Sequence, residues 1–169
     1  MKVRVEMGGE TYMGLAFPIS SVAATQVLVS KLEAKVAGMG FKKGALSTFS
    51  TNGVFGFISK GDPATATKAL EAASAELKTM STNAGVTDGD KAKVTLANFL
   101  KLEGQGASAT LLESAISGVT PEAAADVRKV TSADVSAAAT AALGAVPSFA
   151  VYGTTAGTPS FATVTKMLK

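Results

Sequence analysis

The chain contains neither cysteine nor histidine. Without cysteine there is no disulfide, no thiolate ligand and no thiol nucleophile. Without histidine the chain lacks the usual zinc ligand and the commonest general base near neutral pH. Tryptophan is also missing, and aromatic residues make up only 6% of the 169 positions. The net charge is +3, but the lysines are scattered, and Lys42-Lys43 is their one adjacent pair. A groove that tracks phosphates needs clustered cations, usually beside stacking aromatics, so no nucleic-acid partner is expected.

Long apolar runs are absent as well. The mean hydropathy of +0.30 is high, yet it comes from alanine and valine spread through helical patterns. No run approaches the ~18–20 apolar residues of a membrane span. "MKVRVEM" alternates like a strand and does not resemble an Arg/Ser-rich presequence. The 47% apolar and 17% charged composition fits a folded globule, either a single domain or half of a two-lobed protein.

The remaining pattern is a strand and helix grammar. "VRVEM" and "TYMGLAFPI" read as strands split by the "GGE" turn. In the second, Met13, Leu15, Phe17 and Ile19 alternate with Tyr12, Gly14, Ala16 and Pro18. Both faces are fairly apolar, so one face should be covered by the domain's own helices and the other lie close to a partner. A helix follows from Ser21 to about Ala37, with Val22, Val29, Leu32 and Val36 compatible with one face. "GMGFKKG" is a loop. "ALSTFS" and "GVFGFISK" are strands joined at Asn52-Gly53, a tight-hairpin signal, and Phe55 and Phe57 should share a face beneath a helix.

Gly61 ends that strand, Asp62 is a natural N-cap, and Pro63 takes the first helical position. The next helix puts Ala66, Ala69, Leu70, Ala73, Leu77 and Met80 on one stripe. A further helix starts near Thr87, capped by Thr87 or Asp88, with Val94, Ala97, Phe99 and Leu100 expected on its buried side. "SATLLESAISG" reads as a short helix, and "TPEAAADVRKV" as another with Thr120 as cap and Pro121 in its first turn. "TSADVSAAATAALG" is expected to be capped by Thr131 or Ser132 and stopped at Gly144. "PSFAVYG" is a final strand before a loop and a short terminal helix. This order predicts an α+β fold, a mostly antiparallel sheet with helices packed on one face. It divides into a domain over residues 1–153 and a tail over 154–169.

Candidate chemistry is thin. Ser20, Ser21, Ser47 and Ser50 have no histidine, and no SxxK sequence opens a helix in a suitable context. They read as strand and cap residues. Glu71, Glu76, Glu103 and Glu113 read as solvated helix faces, Tyr12 and Tyr152 as half-buried strand residues, and Lys42-Lys43 as loop cations open to an anion. "TDGDK" is too short for a calcium loop, and no GxxxxGK(S/T) phosphate loop exists. No catalytic, cofactor-binding or metal-binding residue is assigned.

Taken in order, "YMGLAFPIS", "STNGVFGFISKGDPATATKALEAASAELKTM", "GVTDGDKAKVTLANFLKLEG", "LLESAISG", "VRKVTSADVSAAATAALG" and "PSFAVYG" resemble the carboxy-terminal half of a pitrilysin-type metallopeptidase domain. The resemblance covers about Gly9 to Gly153. It is nearest the mitochondrial processing peptidase subunits and the core proteins of respiratory complex III, core protein two above all. Active members of that family carry an HxxEH zinc site in the amino-terminal half and an arginine–tyrosine pair in the carboxy-terminal half. The corresponding region here, "KVAGMGFKKGALSTFS", has neither residue. The resemblance therefore implies a non-catalytic subunit without cofactor or metal, peripheral on the matrix side of the mitochondrial inner membrane. Its expected partners are other subunits of a complex, among them a second processing-peptidase-like lobe. The same resemblance also admits a non-zinc half of an active processing peptidase, or an accessory subunit of another inner-membrane complex such as ATP synthase.

Overall fold

The computed structural model describes residues 1–51, 53–103 and 126–169. Within them the order is β1 (Lys2–Glu6), β2 (Thr11–Pro18), α1 (Val22–Ala37), β3 (Leu46–Thr51), β4 (Val54–Gly61), α2 (Pro63–Thr82) and α3 (Asp88–Glu103). A single 3-10 turn at Val127–Lys129 precedes α4 (Ser132–Gly144), β5 (Ser148–Gly153) and α5 (Phe161–Met167). The strands form one sheet in the order β1-β5-β2-β4-β3. Only β1 and β5 run parallel; the β2–β5, β2–β4 and β3–β4 pairs are antiparallel. The expected α+β class and mostly antiparallel sheet are what the chain forms.

The alternation in β2 decides which face is covered. Met13, Leu15 and Phe17 are fully buried. The register sets Leu15 opposite Phe57 on one side and Phe149 on the other. Phe55, Phe57, Phe149 and Val151 complete this inner face, each at most 4% exposed. Phe17 lies 5.5 Å from Phe55 and 6.3 Å from Phe57 between ring centroids, within the range for aromatic pairs.

Helices α1, α2 and α4 cover that face. The α2 stripe is the expected one: Ala66, Ala69, Leu70, Ala73, Leu77 and Met80 are buried, joined by Ser74. Small residues let α2 lie close on the sheet, and its start is fixed chemically. The Asp62 carboxylate accepts hydrogen bonds from the Ala64 and Thr65 amides at 3.1 and 3.0 Å and from the Thr65 hydroxyl at 2.6 Å. Thr131 caps α4 through a full capping box with Asp134.

Two local expectations are corrected. Gly144 is the last helical residue of α4, not a left-handed stop after it. The cap falls on extended Ala145, whose amide bonds back to Ala141 and Ala142, so no positive φ is needed on the way to β5. In α3, Val94 is buried but Ala97, Phe99 and Leu100 are exposed. That helix touches α1 and the 3-10 turn along a narrow flank. There the Asn98 amide donates to Gln26 at 3.0 Å, so the contacting flank runs through Val94, Thr95 and Asn98. The expected helices over "SATLLESAISG" and from Thr120, with Glu113, lie outside the described residues, as does Asn52.

β5 enters the sheet between β1 and β2, so residues 7–10 arch over its end. Gly153 makes this possible: it holds φ +100°, and a Cβ there would collide with the Glu10 carbonyl oxygen. Beyond β5 the chain is fastened to β1. Arg4 donates to Thr158 Oγ1 at 3.0 Å, and the Glu6 carboxylate accepts from the Thr155 amide at 3.0 Å. Val164 and Leu168 then enter the core.

Candidate functional site: the uncovered face of the sheet

Side chains of successive strand residues point to opposite faces. The face away from the helices therefore carries Val3, Val5, Tyr12, Gly14, Ala16, Phe49, Val54, Gly56, Ile58, Ala150 and Tyr152, read from the four strand registers. Among the described residues no helix covers it. Val3, Val5, Tyr12, Ile58 and Tyr152 are 36–47% exposed. Small residues keep the middle flat. At Gly56 a Cβ would strike the Leu15 carbonyl oxygen, so only glycine lets β2 and β4 approach there.

A polar cluster rims this surface. Tyr12 and Tyr152 are directly paired across β2 and β5, edge to face, with centroids 6.2 Å apart. The Lys60 ammonium sits 5.3 Å from the Tyr12 ring centroid and 2.9 Å from the Glu10 carboxylate. The Glu10 carboxylate, followed by Tyr12, raises the Lys60 pKa above the usual lysine value. The ammonium therefore stays charged over the aromatic ring through the physiological range. An apolar surface rimmed by charge and anchored by tyrosines has the makeup of a protein contact site.

The other candidates remain apart from one another. Ser21 precedes α1 with no side-chain capping bond, and exposed Ser20 and Ser21 line a groove of about 650 Å³ beside α4. The Ser47 hydroxyl reaches only the Ile58 carbonyl, at 3.5 Å, and Ser50 is exposed on the edge strand. Glu71 is exposed and Glu76 half-buried on α2. The side chain of Glu103 is not among those described. Lys42 and Lys43 border a groove of about 390 Å³ with Glu33, Val36, Leu46 and Thr48. Among the described residues no group of three acids stands together as a metal-holding set, and no helix is long and apolar enough to cross a membrane.

The sheet order and the one-sided helix layer make an α+β fold that recurs in known proteins. Three solved structures share it. A chain of complex III2 from Candida albicans, with Inz-5 bound, superposes with a TM-score of 0.75 at 12% identity, over 99% of this chain and 49% of that one. A conserved protein from Enterococcus faecalis V583 gives 0.65 at 13% identity, over 94% and 43%. The periplasmic protease PqqL from Escherichia coli gives 0.61 at 13% identity, over 90% and 20%. The chain thus spans half or less of the length of each. Compared with known protein families and with curated protein sequences, it matches none. Likeness at such identities is a likeness of fold.

Proposed function

We propose that this chain is a non-catalytic, core-type structural subunit of mitochondrial respiratory complex III, held on the matrix side of the inner membrane. The observation that carries the proposal is the bare sheet face. Five large apolar or aromatic side chains, Val3, Val5, Tyr12, Ile58 and Tyr152, stand 36–47% exposed on one surface. Such a surface is stabilised by contact with another protein. The fold likeness to a complex III2 chain over 99% of this chain supports the choice of assembly. The absence of histidine and cysteine from the sequence supports a role through shape and contact area in place of zinc chemistry.

In this reading the face meets a second processing-peptidase-like lobe or another subunit. Purifying the complex through a tag on this chain, then measuring its native mass and its ubiquinol-cytochrome c reductase activity, tests the proposal. Complex III subunits should co-purify with the chain. Their absence from the purified material removes the reading.

A second reading is favoured by the fold likeness to a periplasmic protease. In it the chain is the non-zinc half of an active processing peptidase and lends a wall to a chamber whose zinc is held elsewhere. Co-purification with an HxxEH-bearing chain, together with cleavage of presequence peptides, selects this alternative.

A further inference from the structure

The two edges of the sheet differ in chemistry. β1 places Lys2, Arg4 and Glu6 in five residues, the charged pattern by which an edge strand resists pairing. At the other edge β3 reads Leu-Ser-Thr-Phe-Ser-Thr, with no charge and no proline. The register shows which of its backbone groups face outward. The Lys60 amide donates to the Ala45 carbonyl at 2.8 Å, so Ala45, Ser47, Phe49 and Thr51 are the positions bonded to β4. Hydrogen-bonded and non-bonded positions alternate along an antiparallel strand. Leu46, Thr48 and Ser50 therefore turn their N–H and C=O groups to the free edge, where no described strand pairs with them.

We infer that β3 is a self-pairing edge, on which a second copy of this chain adds its own β3 antiparallel and joins the two five-stranded sheets. The two-fold axis passes between Phe49 and its counterpart. Thr48 then lies opposite the second copy's Ser50, Ser50 opposite its Thr48, and four main-chain hydrogen bonds close the seam.

Three observations select this occupant and register. Phe49 is on the bare face and half-buried, so the two rings meet across the axis at a close, non-bonded pair. The groove of about 390 Å³ beside the edge, lined by Glu33, Val36, Leu46 and Thr48, lies on the side toward which Ser50 points. One Glu33 carboxylate oxygen accepts from the Thr48 hydroxyl at 2.9 Å, which leaves the other to accept from the incoming serine. The neighbouring register, with Thr48 opposite Thr48, brings the two Glu33 carboxylates together and is disfavoured by their repulsion. The antiparallel arrangement also holds the two Lys42-Lys43 pairs at opposite ends of the seam.

The absence of cysteine makes the test free of background. A Phe49→Cys chain, mildly oxidised, should form an intermolecular disulfide, while a Tyr152→Cys control on the same face should not. Light scattering of the unmodified full chain should give a concentration-dependent species of 33.8 kDa, twice 16.9 kDa. Ser50→Glu sets a carboxylate against Glu33 and should weaken the dimer by about tenfold or more. Adding Glu33→Lys should restore it, and circular dichroism checks that each variant is folded. A chain that stays monomeric at high concentration overturns the inference. So does a dimer that cross-links through position 152, or one indifferent to Ser50→Glu. These outcomes are independent of which complex the chain belongs to.

Discussion

Tyr12 and Tyr152 come from strands near opposite ends of the chain, yet their rings pack edge to face at 6.2 Å on the bare side of the sheet. Such a pair contributes about 0.5–1.5 kcal/mol beyond its buried area. Here both rings stay over a third exposed, so the energy from covering them remains available for association. Replacing both with serine should cost the isolated fold no more than about 1–2 kcal/mol while strongly reducing co-purification of partners. Urea melts and pull-downs, read side by side, check the two halves of that prediction.

Phe57 and Ile58 are neighbours in β4 that point to opposite faces. Phe57 is fully buried beneath the helices and Ile58 is 40% exposed. Phe57→Ala should destabilise by about 3–5 kcal/mol, whereas Ile58→Ala should stay within about 0.5 kcal/mol, as for a surface change. Equal losses at the two positions in chemical denaturation would mean that the bare face is covered within the chain itself.

The start of α2 depends on one side chain. Asp62→Ala leaves the Ala64 and Thr65 amides without their acceptor and should bring a loss of stability. Asp62→Asn should recover most of it, because an amide oxygen can still cap. The midpoint of urea unfolding measures both.

Acid should unfold this protein through a few named carboxylates. The Thr65 hydroxyl and amide lower the Asp62 pKa, and the Thr131 amide and hydroxyl lower that of Asp134. Burial of Asp90 works to raise its pKa, but the Lys31 ammonium at 2.8 Å and the Thr87 donors outweigh it and bring it down. Each folded pKa lies below its unfolded value. Their stabilisation is therefore complete above the ordinary carboxylate range, near 4, and is lost as pH falls through the folded values. The melting temperature should be flat near neutrality and fall below about pH 4, and an Asp90→Asn chain should show a shallower acid limb. An unchanged limb in that variant would remove Asp90 from the account.

Much of this was legible in the sequence because it is local. The Asp62-Pro63 step, the α2 stripe and the alternation of β2 depend on near neighbours, and each formed as expected. The apolar second face of β2 was visible too, but its extent was not. It requires knowing that β5 enters between β1 and β2 and brings Tyr152 beside Tyr12, and no short-range pattern encodes that insertion. The buried side of α3 was not legible for a related reason: it is set by which flank of the helix meets α1, where Asn98 bonds Gln26, a contact between distant segments. The edge chemistry of β3 was present in its six uncharged residues, yet only the strand order shows that they lie at an edge.

The proposed assembly role places the partner contact on the uncovered sheet face. The direct test is the native mass of the particle isolated through this chain from its own cells, with Tyr12→Ser/Tyr152→Ser as comparison. The expected result is a multisubunit particle containing complex III subunits, depleted when the two tyrosines are replaced. A lone chain of 16.9 kDa or its simple dimer, unchanged by that replacement, would contradict it.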